Sequence, residues 1–359
     1  MSTIPEVTSP NDHAMDLLCE RLSGLSNQWK KTSDWPAESL SACSQAGVYK
    51  WFLPTESGGF GWNEVDQVRG YLRLSQSDLT TTFVVTQLMG AVRRIAGSEN
   101  PEPASAWLDS LIAGEAFGTV GISHLTTSRR HLANPVLLAT QTANGFTLEG
   151  MSPWVTGVPH ADVYVVGATM GDGRELLAAV PRALDGITPF PGFDLMALSA
   201  SCTDRLEFAN VQIDESMLIA GPIENVMRTG TGGRTGGLQT STLAIGLSRA
   251  AVEFLKQESN QRSDLKEAAE ELDAMICQLE EELLRAAGGD AGCDAADIRG
   301  RANRIVLRST QAALTAAKGA GYVDGHPVGR WCREAMFFLV WSCPQPVAQA
   351  YLCELAGIT

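Results

Sequence analysis

The sequence predicts an α+β protein in three consecutive blocks: an N-terminal α-helical domain (1–113), a middle antiparallel β domain (114–221) and a C-terminal helical bundle (222–359). Two observations carry this. Apolar residues recur at helical spacing from about 11 to 113 and again after about 238. Between these stretches lie short apolar runs separated by turn dipeptides. No long helical pattern separates those runs, so an antiparallel sheet or small β-barrel is expected rather than a doubly wound fold.

In the first block, Leu17, Leu18, Leu22 and Leu25 form one helical stripe, and Ser33-Asp34 with Pro36 marks the next helix start. Leu53 to Gly61 is a loop, because its proline and three glycines do not suit a helix interior. Helices follow over Trp62–Gln76 and Thr80–Ala96, although Thr80 to Val85 also fits a strand.

In the second block, Phe146-Thr147-Leu148, Asp162 to Val166, Glu175 to Val180, Leu206-Glu207-Phe208 and Val211-Gln212-Ile213 read as strands. Asn144-Gly145, Gly171-Asp172-Gly173 and Pro181 separate them. Asn144-Gly145 is expected as the two central residues of a hairpin turn with φ > 0. Gly150 and Pro153 predict a bend.

In the third block, Leu243, Leu247, Ala250 and Phe254 make one apolar stripe. Leu265, Ala268, Leu272, Met275, Leu279 and Leu283 make a second. Gly288-Gly289 and Gly292 end it. Further helices are expected over Ala295–Lys318 and Val328–Trp341, with a short one after Pro346.

A formal net charge of −14 argues against binding nucleic-acid phosphates and against an anionic membrane surface. No apolar run reaches bilayer length. The eight cysteines form no CxxC pair and the first ten residues are polar, which places reduced thiols in a cytoplasmic protein. The five histidines do not cluster at ligand spacing, so no metal is expected.

The stretch from Asn144 to Thr156 is the most informative. Trp154 followed two residues later by Thr156 would set an aromatic face and a hydroxyl on one side of a strand. That pair suits a flat heteroaromatic ring, one group stacking and one hydrogen bonding. A buried Trp with a satisfied Thr is the simpler reading of this segment taken alone.

Four passages together resemble the acyl-CoA dehydrogenase superfamily of FAD flavoproteins. They are the loop Leu53 to Gly61, Gly114-Glu115 with Leu125-Thr126, Asn144 to Thr156, and Pro327-Val328-Gly329-Arg330-Trp331-Cys332-Arg333-Glu334-Ala335. The resemblance runs over nearly the whole chain and follows the order of the blocks. It implies bound FAD, with Thr126 beside the pyrimidine side of the flavin and Trp154 and Thr156 lining the isoalloxazine. It implies that Arg262 and the turn Lys318-Gly319-Ala320-Gly321 meet the FAD of a neighbouring subunit in a homodimer or homotetramer. The substrate it implies is a small molecule such as an acyl-CoA.

The chain departs from the family at the chemistry. Ser342 stands where the family has its catalytic Glu, and a general base must reach the substrate proton. The alternative base position, Thr229 to Gly237, holds no carboxylate. Thr127-Ser128-Arg129-Arg130-His131 replaces the family's Glu-Pro-x-x-Gly-Ser-Asp, and Pro344 and Pro346 replace polar residues near the cofactor. The readings left open are an acyl-CoA dehydrogenase-like oxidoreductase with a non-standard or absent base, a flavin-dependent monooxygenase of the same fold, and a catalytically degenerate binding or scaffold subunit.

Overall fold

A computed structural model describes residues 4–31, 33–126, 135–228 and 237–358. Helices α1 (His13–Leu25), α2 (Ala37–Gln45), α3 (Glu64–Ser77), α4 (Leu79–Ala96) and α5 (Glu102–Ala113) form the first block. Asp78 fixes the start of α4: its carboxylate accepts from the Thr80 amide at 3.1 Å and from the Thr81 hydroxyl. That cap decides the ambiguous Thr80–Val85 stretch in favour of helix.

The middle block holds β1 (Gly118–Gly121), the one-turn helix α6 (Ser123–Thr126), β2 (Leu137–Thr142), β3 (Gly145–Val155), β4 (Val163–Met170), β5 (Glu175–Pro181), β6 (Ile187–Pro189), β7 (Asp204–Asp214) and β8 (Leu218–Ile223). They make one sheet in the order β6-β7-β3-β2-β4-β5-β8, with β1 also beside β4. The sheet is mixed rather than purely antiparallel. β1 and β2 both run parallel to β4, β1 along its first half and β2 along its end. Turn dipeptides report hairpins, whereas parallel neighbours are joined by long connections that leave no local signature.

The expected hairpin is present one residue earlier than its dipeptide suggests. Ala143 and Asn144 form the turn, and Gly145 opens β3 at φ 146, opposite Asp214. A Cβ on Gly145 would lie 2.1 Å from the Ile213 carbonyl oxygen, so the glycine permits the close approach of β7.

Helices α7 (Gln239–Ser259), α8 (Lys266–Ala287), α9 (Ala295–Ala317), α10 (Pro327–Ala335) and α11 (Gln345–Leu355) complete the chain. The helix expected to run to Trp341 stops at Ala335 and continues as a 3-10 turn over Met336–Leu339. The N- and C-terminal helices share one core: Ser75 of α3 donates to the Leu243 carbonyl of α7 at 2.7 Å. Gly246 lets the two backbones meet, since a Cβ there would lie 2.6 Å from the Leu72 oxygen.

Strand β4 joins the two cores. Val163 and Val165 pack with the helices, and Tyr164 and Val166 pack inside the β domain. Alternation by two thus splits one apolar run between two buried faces. Among the described residues, no helix is long and apolar enough to cross a membrane.

Candidate functional site

β3 is one continuous strand, but its pairing with β7 shifts register between Leu148 and Gly150 and again between Ser152 and Val155. The second shift isolates Trp154 at φ 58, a left-handed conformation that a bulky residue rarely adopts. The consequence departs from simple alternation. Trp154 is 52 % exposed while Thr156 is buried, so indole and hydroxyl do not share a face as the i, i+2 spacing suggests.

The exposed indole is braced from two sides. Phe193 lies against it with ring centroids 5.7 Å apart. Ser123, opening α6, donates its hydroxyl to the Pro153 carbonyl at 2.7 Å. That bond ties the helix carrying Thr126 to the residue preceding Trp154. Thr126 is half-buried and its hydroxyl donates back to the Ser123 carbonyl at 3.1 Å.

His124 lies inside the same turn and is buried. Its Nε2 must donate to the Gly167 carbonyl at 2.7 Å, because that oxygen only accepts. Burial lowers its pKa, which keeps the ring neutral. Nδ1 is therefore a bare acceptor, and it has no donor among the described residues.

Thr156 supports the wall from behind. Its hydroxyl is 3.0 Å from that of Thr203, which in turn is 2.8 Å from that of Ser201. Asp204, next along β7 and paired with Val155, is buried and accepts from the Gly192 amide at 3.3 Å. The Phe193 amide donates to the Thr203 carbonyl at 3.0 Å. Residues 203 and 204 therefore set the segment that presses Phe193 on Trp154. This support is not visible in the sequence, because it depends on the register of β7 against β3.

The residues expected to meet a neighbouring subunit's cofactor lie together at the far end of α9. Arg262 donates Nη1 to the Ala316 carbonyl at 2.6 Å and has Glu258 and Asp264 within 4 Å. Gly319 is exposed and Gly321 is buried in the turn that follows. A Cβ on Gly321 would lie 2.8 Å from the Ala317 side chain. Arg262 is thus already turned toward its own chain, and the structure does not bring it beside Trp154.

Ser342 sits at φ 44 in the turn after Leu339 and is half-buried. Arg299 of α9 organises that turn from beneath. It is 4 % exposed and donates to the Trp341 carbonyl at 2.8 Å, the Phe338 carbonyl at 3.0 Å and Asn303 Oδ1 at 2.9 Å. None of these partners is a carboxylate. Burial lowers its pKa to about 10, with the Cys343 thiol opposing. Of the other expected base position, 229–237, residues 229–236 lie outside the described residues, as do Arg129 and Arg130.

No protein-family model matches the chain. It is 24% identical over 324 residues to the mitochondrial isovaleryl-CoA dehydrogenase of Pongo abelii, covering 81% of this chain and 74% of that protein. It is 21% identical over 368 residues to the 3-(aryl)acrylate reductase of Clostridium sporogenes, covering 95% and 96% of the two chains. A glutaryl-CoA dehydrogenase from Mycobacterium smegmatis, solved in complex with FADH2, superposes with a TM-score of 0.77 at 18% identity, over 97% of this chain and 96% of that one. The fold is that of the acyl-CoA dehydrogenases. Its distant sequence relatives include acyl-CoA dehydrogenases.

Proposed function

We propose that the protein is an FAD-dependent oxidoreductase of the acyl-CoA dehydrogenase type, acting on an acyl-CoA or related small substrate without the family's usual carboxylate base. The observation that carries this is Trp154. A large aromatic side chain is held half-exposed by a left-handed backbone, a conformation costing about 1–2 kcal/mol. Burying a flat ring on that indole would offset the cost.

The residues present fit the cofactor. Trp154 would stack on the flavin and Thr126 would meet its polar edge. Thr156, buried behind the indole and engaged with Thr203, would hold the strand that carries Trp154. The open Nδ1 of His124 is an acceptor beside Thr126. Arg262 and the 318–321 turn would serve a second copy's cofactor in a homodimer or homotetramer, and Arg262 still has N–H groups to offer a pyrophosphate. Bound FAD would supply the two-electron acceptor.

The chain's own part is to orient the ring, exclude water from the indole face and hold the turn at Ser342. A serine there is a poor proton acceptor near neutral pH without a partner, so removal of a substrate Cα proton is the step this chain serves least. The absorbance spectrum of the purified protein tests the reading. A flavin spectrum that survives desalting supports it, and slow bleaching by saturated acyl-CoA esters supports the missing base. A colourless protein that takes up no added FAD refutes it.

A further inference from the structure

A cleft of about 170 Å³ opens between the segment after α1, residues 195–199 and the first turns of α10. A larger hollow, about 410 Å³ at the tip of the β2–β3 hairpin, has Asp214 as its one ionisable wall residue, and that carboxylate already accepts from the Ser216 amide at 2.9 Å. The smaller cleft holds unmet chemistry. At its rim Lys30 is paired with Asp324 at 3.0 Å. Inside are Arg330 and Glu334, one turn apart on α10.

The Glu334 side chain is 3% exposed, and its nearest charged partner, Arg330 Nε, is 3.6 Å away. That is too long for a hydrogen bond. Arg330 Nε and Nη1 are themselves buried with no acceptor among the described residues. Asp78, fully enclosed, acts electrostatically on both. Its carboxylate is occupied by Trp29 Nε1 at 3.0 Å, the Thr80 amide at 3.1 Å and the Thr81 hydroxyl.

Buried charges are normally paired and hydrogen bonded, and leaving them otherwise is costly. The missing partner must supply acceptors for a guanidinium. A cation is excluded by Arg330 itself and by Arg333 at the mouth. The start of α10, capped by His326, lies beside the cleft, and the positive end of a helix dipole favours an anion over a cation. A carboxylate brings two coplanar oxygens, matched to a guanidinium fork. A protonated Glu334 can donate to the same group.

We propose that this cleft binds a small carboxylate, gripped by Arg330 and accepted beside Glu334. The site is separate in its residues from the proposed flavin wall, although segment 193–199 contributes to both, with Phe193 on Trp154 and Leu195–Ser199 on the cleft. Burial, opposed by Arg330 and reinforced by Asp78, pushes the Glu334 carboxyl up to about 7. Lys30, Asp324, His326 and Arg333 are the other charged or titratable groups facing it across the cleft. Protonated Glu334 accepts the anion and ionised Glu334 repels it.

The test is calorimetric titration and thermal denaturation of the whole chain with sodium acetate, sodium sulfate and sodium chloride at matched ionic strength, at pH 6 and pH 8. Acetate is expected to bind and to stabilise beyond chloride, with apparent affinity falling about tenfold from pH 6 to pH 8 as the protonated fraction of Glu334 falls. Arg330→Gln is expected to abolish the acetate effect. Glu334→Gln is expected to keep it and to remove its pH dependence. Acetate indistinguishable from chloride at both pH values overturns the proposal. So does sulfate equal to or better than acetate, or a Glu334→Gln protein whose affinity still falls tenfold. The last comparison decides the matter even if Arg330→Gln does not fold.

Discussion

At the β-domain wall, a strained Trp154 is kept in place by four separate supports: the Ser123–Pro153 bond, Phe193, the hydroxyls behind Thr156 and the Asp204 carboxylate. At the C-terminal turn, Arg299 holds two backbone carbonyls with equal care, yet the side chain presented there is Ser342. The first region holds a strained, half-exposed indole, the surface the proposed function assigns to the flavin. The second region, where the proposed function places the missing base, holds its backbone through Arg299 and presents a serine, a poor proton acceptor near neutral pH. On the proposed function, ring binding and proton transfer draw on different regions of the scaffold, so each should change without the other.

Restoring the carboxylate is the largest test of that independence. Ser342→Glu is expected to raise the rate of flavin bleaching by a saturated acyl-CoA by about 100-fold or more, the usual contribution of a positioned general base. Stopped-flow absorbance under anaerobic conditions measures it. Flavin content should not change. An unchanged rate means that the base lies elsewhere or that acyl-CoA is not the substrate.

The converse change attacks the wall. Trp154→Ala with Thr156→Ala is expected to release FAD, read as the flavin-to-protein absorbance ratio after gel filtration, while the turn at Ser342 stays intact. Trp154→Gly alone separates strain from binding. It should lose flavin yet leave the apoprotein no less stable, because glycine accepts φ 58 and removes an exposed side chain. Flavin retention at the wild-type level in the double variant would falsify the assignment of these positions.

Glu334 offers a smaller effect with a defined sign. Its folded pKa is raised to about 7, above the unfolded value, mainly by burial. Its stabilising share is therefore complete below the unfolded pKa and lost as pH rises through about 7. Wild-type stability should fall relative to Glu334→Gln by about 3 kcal/mol between acid and mildly alkaline pH, at about 1.4 kcal/mol per pKa unit. Urea denaturation midpoints at pH 5 and pH 8 measure the difference. Parallel pH profiles for the two proteins would mean that the carboxyl is not buried as described.

The three-block order was legible because helical and strand periodicities are local, and the expected helix starts and glycine stops stand close to the observed ones. The parallel pairing of β1 and β2 with β4 was not, since it joins residues such as Gly118 and Val163 that share no turn. Trp154 was found by motif, and Gly150 and Pro153 marked the irregular stretch around it, where the pairing shifts register, but the outward direction of the indole follows only from the pairing with β7. Asp204, Phe193 and Arg299 carried no motif at all. Their roles exist only once β7 lies against β3 and α9 lies under the 338–341 turn.

The smallest expected effect concerns Lys318, the first residue of the turn that carries Gly319 and Gly321. Its backbone lies at φ 54, ψ −144, a region that glycine adopts freely and other residues rarely do. The strain costs about 1–3 kcal/mol, and glycine's extra freedom in the unfolded chain returns about 0.5–1 kcal/mol of the gain from replacing it. Lys318→Gly should therefore stabilise the protein by about 1 kcal/mol, seen as a higher denaturation midpoint with an unchanged slope. Loss of the ammonium should also reveal whether this turn serves a second copy's cofactor. If it does, flavin affinity falls while stability rises, the same opposition expected at Trp154. If flavin affinity holds, the lysine is only a cation at the C-terminal end of α9, where the helix dipole favours one, and the two strained residues differ in kind.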